Sequence, residues 1–306
     1  LTVIDIASDD EAGASTTYSK TATGASNVML TASDGTWSVT ASALDTDLGN
    51  DIKYAGALTI TGITDKTAAL TDYTTTKTGA TTNTLTADGN WSLAVATLDT
   101  ALTAGARLSG ALTVTGITSG SETGALAAYT TAKTGATTNT LTAADDGAWS
   151  IAASDLTTAL NAGVRLAGTL TVTSIASVNE TAALTDFTEA KTGASMNILT
   201  ASDTNWLVAA TDLDTALTAN VRLAGDLTVT GISTETNAST TYSKANTGAS
   251  SVTLTASDAT WSIATSALDT DLNDDIKYAG ALTVTGIAAG NEDAALTKYT
   301  TALTGA

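Results

Sequence analysis

Leucine, valine and isoleucine alternate with threonine and glycine in Leu112-Thr-Val-Thr-Gly-Ile-Thr118. The same cadence returns at 58–64, 170–176, 227–233 and 282–288, and in decayed form at 1–7. A period of two puts the apolar side chains on one face of a strand and the hydroxyls on the other. One such strand cannot bury its apolar face, but several in register can. The repeats run 1–57, 58–111, 112–169, 170–226 and 227–281, with a partial sixth at 282–306. The pattern predicts a β-rich repeat solenoid with short helices: strand–helix coils whose strands stack in parallel, with 1–306 as one continuous array.

Three further patterns fill each repeat. In residues 69–77, Leu70, Tyr73 and Lys77 lie three and four apart, which predicts a short helix or helical turn. Residues 83–93 predict a strand, an Asp88-Gly89 turn and a second strand carrying Trp91. In residues 154–163, Leu156 and Leu160 are four apart and predict another short helix. Ser42, Thr211 and Ser266 each precede an Asp by three residues (Asp45, Asp214, Asp269), a capping box in its Asp form. Gly105 and Gly163 read as helix terminators. Each repeat is expected to make two strand-then-helix turns of about 27 residues.

Repeats 1 and 5 share a dialect. Ser15-Thr-Thr-Tyr-Ser-Lys20 matches Ser239-Thr-Thr-Tyr-Ser-Lys244, and Asp51-Ile-Lys-Tyr-Ala-Gly56 matches Asp275-Ile-Lys-Tyr-Ala-Gly280. Similarity therefore recurs every four repeats, as block copying from a longer parent would leave it. The chain begins with Leu, shows no signal peptide, and reads as a mature product or an excerpt of something longer.

The aromatic residues occupy three slots: Trp37, Trp91, Trp149, Trp206 and Trp261; Tyr18, Tyr73, Tyr129, Phe187, Tyr242 and Tyr299; and Tyr54 with Tyr278. Rings that recur once per repeat are expected to fill a core as ladders, or, if exposed, to make a sugar-stacking platform. Basic residues hold two slots, Lys20, Lys77, Lys133, Lys191 and Lys244, and Lys53, Arg107, Arg165, Arg222 and Lys277. In so acidic a chain they are expected to pair with Asp, setting register more than stability. Thr113 with Thr115, and their counterparts in other repeats, are expected to point outward; regular Thr arrays resemble ice-binding solenoids, although Thr is also an ordinary exposed strand residue.

Composition then excludes several chemistries. With no His and no Cys in 306 residues, disulfides, the usual zinc sites and the Ser-His-Asp and Cys-His nucleophile arrangements are ruled out. A formal charge of −19 repels nucleic acid and anionic membranes, and no apolar run is long enough to insert into a bilayer. Asp45, Asp47 and Asp51, and Asp269, Asp271, Asp274 and Asp275, are candidate oxygen ligands for calcium, although they match no EF-hand loop. Paired carboxylates also suit glycoside hydrolysis, but here the acidic residues repeat with the array and do not converge once. The expectation is no enzyme, no catalytic, cofactor or metal site, and no required cofactor.

Runs such as Trp149-Ser-Ile-Ala-Ala-Ser-Asp-Leu-Thr-Thr-Ala-Leu160, followed by Leu166-Ala-Gly-Thr-Leu-Thr-Val-Thr-Ser-Ile175, resemble the Ala/Thr-rich repeat regions of large extracellular and surface proteins of bacteria. That resemblance implies a structural protein of a filament, surface layer or adhesin stalk, extracellular or at the cell surface, that self-associates into a homo-oligomer or filament. The Asp-Gly-x-Trp-Ser pieces at 34–38 and 88–92 also resemble a strand of Ig-like adhesin domains, which implies the alternative of tandem small β-sandwich domains. The alternative function is a binding module for ice or polysaccharide, using Thr or aromatic rows and contacting a glycan or surface.

Overall fold

The computed structural model describes residues 1–7, 10–118, 120–144, 147–234 and 237–305; Ala306, the last residue of the partial repeat, lies outside them. The chain forms two compact bodies, Leu1–Asp146 with Thr158–Arg165, and Gly147–Thr157 with Leu166–Ala306. It is an α/β protein of parallel sheets with five, four and six strands and short helices.

Each repeat contributes four strand segments, best seen in repeats 1 and 2. The Leu segment forms the second half of Ile52–Ile63. The Asn and Trp segments are Thr82–Ala87 and Trp91–Ala94. The Arg segment, Ala106–Ser109, leads into the next Leu segment, Ala111–Ile117. A Leu segment pairs on one edge with the preceding Trp segment (Trp37 with Leu58, Trp91 with Leu112) and on the other with the following Asn segment (Leu58 with Asn83, Leu112 with Asn139). The Asn segment then pairs with its Arg segment, Asn83 with Ala106.

This pairing staggers the ladder. Crossing from Leu58 to Asn83 to Ala106 ends six residues short of Leu112, the next copy of Leu58. In the second body Leu170 leads to Asn197 and then to Val221, again six short of Leu227. A long strand such as Ile52–Ile63 therefore lies fully along one neighbour and only half along the next.

Two sequence expectations are corrected here. The expected Asp88-Gly89 turn does not reverse the chain as a hairpin would: residues 83–86 pair with 106–109, and 91–94 continue in the same direction against 112–115, as 28–31 and 36–40 do against 52–55 and 57–61 around Asp34-Gly35. The extra residues make a corner. Its geometry requires glycine at the facing position: Gly56 has φ +101°, and a Cβ there would lie 2.2 Å from the Gly35 carbonyl oxygen. The β-sandwich alternative fails on strand direction, because it needs antiparallel sheets and the pairings among the described residues are parallel.

Parallel neighbours need crossovers, and these differ in number from the expectation. After each Leu segment come two α-helices, not one, such as Lys66–Asp72 and Thr75–Thr78; after Thr169–Ile175 a 3-10 turn, Ser177–Asn179, precedes them. The break falls at Tyr73-Thr74, because Thr74 is extended and its hydroxyl caps the Lys77 amide. Leu70 and Lys77 thus lie on different helices. After each Trp segment comes one nine-residue helix, such as Ala41–Gly49 or Val95–Thr103. Ser42, Thr211 and Ser266 do not cap these helices. The capping positions are Thr40, Ala209 and Ala264, of which only Thr40 uses its side chain. Gly105 and Gly163 do end helices, in the left-handed conformation.

Candidate functional site

The groups best able to do chemistry are the aromatic and acidic slots, and each is built into the packing. The Trp side chains are buried, and each indole Nε1 donates to a carbonyl eighteen residues on: Ala55, Ser109, Ala167, Ala224 and Ala279, at 2.9–3.2 Å. That bond fixes the ring against the Arg segment of its own repeat. Ring-on-ring contacts run between slots, Trp37 with Tyr54 at 5.1 Å and Trp261 with Tyr278 at 4.8 Å, both edge-on. Tyr73, Tyr129, Phe187 and Tyr242 are buried, so only Tyr18 and Tyr299, both half-buried, keep part of a ring open.

The second-slot tyrosines reach the nine-residue helix of the preceding repeat. Tyr73 donates to Asp45 at 2.9 Å, Tyr129 to Asp99 at 2.8 Å and Tyr299 to Asp269 at 2.7 Å, and Tyr242 bonds Asp214. Burial, reinforced by the carboxylate, pushes the Tyr73, Tyr129 and Tyr242 phenols up, Tyr242 to about 12, whereas at Tyr299 the Asp269 hydrogen bond is the main cause. The exception is Phe187, and the helix position facing it is Thr157 where the others carry Asp. Hydroxyl and carboxylate disappear together. Phe187 and Thr157 line a groove of about 390 Å³ with Ser174, Asn179 and Asp186. Ser174 there has φ +62° in a slot that holds Gly62, Gly116, Gly231 and Gly286 elsewhere. A groove of about 360 Å³ lies at the corresponding place beside Asp269 and Tyr299.

Repeats 1 and 5 carry a second polar set. Tyr54 donates to Asp47, and Tyr278 to Asp271, with all four side chains buried. Ser15 bonds Asp47, and Ser239 bonds Tyr278. Burial raises the Asp47 carboxyl despite its hydrogen bonds. A cavity of about 170 Å³ borders this set in repeat 1, with Glu11 and Ser38 on its wall. Glu11 is itself engaged, accepting from the Ser38 amide at 2.7 Å on the free edge of the Trp segment, as Glu180 accepts from Leu207.

A buried asparagine slot carries no signal in the hydrophobic pattern. Asn83 and Asn139 donate to the carbonyls of Tyr73 and Tyr129 and take the hydroxyls of Thr78 and Thr134. They hold together the two-helix connection. Asn197 keeps its bond to Thr192, but its amide nitrogen finds no partner. Val28 and Val252 fill the slot in the two dialect repeats. The signal that finds such positions is comparison of repeats slot by slot.

The basic slots divide in two. In the first, Lys20, Lys77, Lys191 and Lys244 pair with Asp51, Asp72, Asp186 and Asp275 at 2.7–3.2 Å, whereas Lys133 bonds the Ala127 carbonyl. In the second slot Lys53 and Lys277 act on Asp51 and Asp275 through charge, without a close ion pair among the described residues, and the arginines turn to main-chain carbonyls. Arg165 and Arg222 reach the carbonyls of Leu160 and Leu217 in the last turn of a helix, and Lys53 reaches that of Thr76. A cation suits the negative end of a helix. The candidate calcium ligands diverge: Asp45, Asp47 and Asp51 serve Tyr73, Tyr54 and Lys20, and Asp269, Asp271 and Asp275 serve Tyr299, Tyr278 and Lys244. Among the described residues no group of three or more acidic side chains is placed to hold a metal ion.

The hydroxyl face forms short rows across the sheet. Ser38, Thr59, Thr84 and Arg107 are consecutive register partners. The Asn segment thus supplies the missing rung between Thr rows, and a cation closes each row. In repeat 4 the face turns apolar: Ile198 stands beside Thr171, and Leu207, 65% exposed, stands where repeats 1, 2, 3 and 5 carry Ser. No helix among the described residues is long and apolar enough to cross a membrane. No protein-family model, characterised protein or solved structure matches this chain.

Proposed function

We propose that this chain is a structural repeat segment of an extracellular filament, surface layer or adhesin stalk, in which each repeat is a solenoid coil that covers the next. One observation carries the reading. The groups that could do chemistry recur with the repeat and are spent on packing: five indole bonds to the same relative carbonyl, phenol–carboxylate links between successive repeats, and Asp partners for the lysines. An active site is a local exception that gathers polar groups; the local exception at Thr157 with Phe187 removes two of them.

Self-association is the expected behaviour of the 306-residue chain. Within the array, Leu207 is 65% exposed and lies on a strand segment, 205–209, that among the described residues pairs with another strand on one edge only. An open edge of alternating apolar residues is a template for another strand. Sedimentation velocity over a concentration series, with negative-stain imaging, should show elongated assemblies growing with concentration. A monomer throughout the series overturns the self-associating form of the proposal.

The polysaccharide alternative is favoured by one place, the Phe187–Thr157 groove with Ser174, Asn179 and Asp186 on its walls. A glycan array with the native chain and with Asp186→Ala tests it. Binding that Asp186→Ala abolishes would replace the structural reading with a recognition role.

A further inference from the structure

Three positions change together along the repeats. Ser15, Asp47 and Tyr54 form a hydrogen-bonded set across the helix Glu11–Thr17, the helix Ala41–Gly49 and the strand Ile52–Ile63. Ser239, Asp271 and Tyr278 repeat it. The same slots hold Leu70, Ala101 and Leu108 in repeat 2, Leu126, Ala159 and Leu166 in repeat 3, and Leu184, Ala216 and Leu223 in repeat 4. Those nine side chains are buried, as are the Asp and Tyr of the two polar sets. No repeat mixes the two sets: the slots are wholly polar or wholly apolar.

The ladders themselves do not distinguish one repeat from the next. Trp37 meets Leu58 as Trp91 meets Leu112, with Ser beside Thr at the next rung in both. The strand Val28–Thr40 therefore finds an equally good backbone partner one repeat further on, with the intervening repeat looped out. The entropic cost of the larger loop grows only logarithmically with length. The side chains do differ. In the skipped pairing Asp47 meets Leu108 in place of Tyr54, leaving a buried carboxylate without its phenol. Skips of two or three repeats meet Leu166 or Leu223, and a matching tyrosine returns only four repeats away, at Tyr278.

We infer that Ser15–Asp47–Tyr54 and Ser239–Asp271–Tyr278 are register keys: residues that make repeats 1 and 5 accept their own partner strands and reject those of neighbouring repeats. Their role is discrimination between pairings, as a single buried polar residue fixes register in a coiled coil. The inference does not depend on what the array is used for.

The chain has no cysteine, so register is readable by engineered cross-links. Ser38→Cys with Thr59→Cys reports native pairing, since the two are register partners on the hydroxyl face. Ser38→Cys with Thr113→Cys reports a skip of one repeat, Thr113 being the next copy of Thr59. Each pair is refolded from urea, oxidised and quantified by peptide mass spectrometry, with and without Ser15→Leu/Asp47→Ala/Tyr54→Leu. The 38–113 link should rise by about a hundredfold in the keyless chain, the order that one uncompensated buried carboxylate implies. An unchanged ratio of the two links overturns the inference.

A reciprocal variant guards against a keyless chain that does not refold. Leu70→Ser/Ala101→Asp/Leu108→Tyr gives repeat 2 the same key, and it too should allow the 38–113 link. Failure of that link to appear also overturns the inference. In urea titrations Asp47→Ala and Tyr54→Leu alone should each lower the midpoint, and the triple replacement in repeat 1 should restore it. A triple variant no better than the worse single one means that the slots do not exchange as a set, and the inference falls.

Discussion

Tyr129 and Phe187 occupy one slot and differ by one hydroxyl, and the helices facing them differ to match, Asp99 against Thr157. The pair thus behaves as a unit within a single chain. Tyr129→Phe should cost about 1 kcal/mol, the usual net worth of one hydrogen bond, and adding Asp99→Thr should recover most of it. Urea melts of the two single variants and the double variant measure the coupling, and additive losses would mean that the pairing is incidental. Tyr242 extends the argument to pH. Its phenol is pushed up to about 12 by burial and by Asp214, above the ordinary value near 10. Between those values the unfolded chain releases this proton and the folded chain keeps it. Stability present below about pH 10 is therefore lost as pH rises toward 12, and Tyr242→Phe should flatten the decline. The aromatic slots were legible because large rings recur at fixed spacing. Their carboxylate partners were not, because Asp45, Asp214 and Asp269 also sit three residues after Ser or Thr, and the nearer explanation, a cap, competes with a partner about thirty residues away.

Among the elements, strands were read well and connections less so. Alternation at 112–118 marks a strand regardless of what it pairs with, and the parallel direction follows once helices intervene. The corner at Asp88-Gly89 reads as a turn in the sequence because Asp-Gly chemistry supplies a positive φ in either setting; only the strand beyond it, running on in the same sense, separates the two. The split of the first crossover into two helices was hidden for a similar reason, since Leu70, Tyr73 and Lys77 keep helical spacing across a break made by Thr74. The corner permits a direct test. Gly56 and Gly110 share φ +101°, but an added Cβ meets the Gly35 carbonyl oxygen at 2.2 Å in the first case and nothing within 4 Å in the second. Gly110→Ala should lose roughly 1–3 kcal/mol from backbone strain alone, and Gly56→Ala should lose more. Equal losses in thermal or urea unfolding would show that the contact between corners relaxes freely.

For the molecule as a whole, charge and periodicity act against each other. A net charge of −19 keeps copies apart over a distance set by salt, about 10 Å at 0.1 M, whereas open apolar edges draw them together. Self-association should therefore strengthen with ionic strength, and light scattering across a salt series reads the sign. Association that weakens with salt would point to ion pairs, not edges, as the contact. The staggered ladder has a consequence of another kind. Ile52–Ile63 overlaps its two neighbours unequally, as a brick overlaps two bricks in the course below. Within each body there is no straight seam along which one pair of strands can part without shearing the next, so a crack opened between two courses would be deflected at every joint.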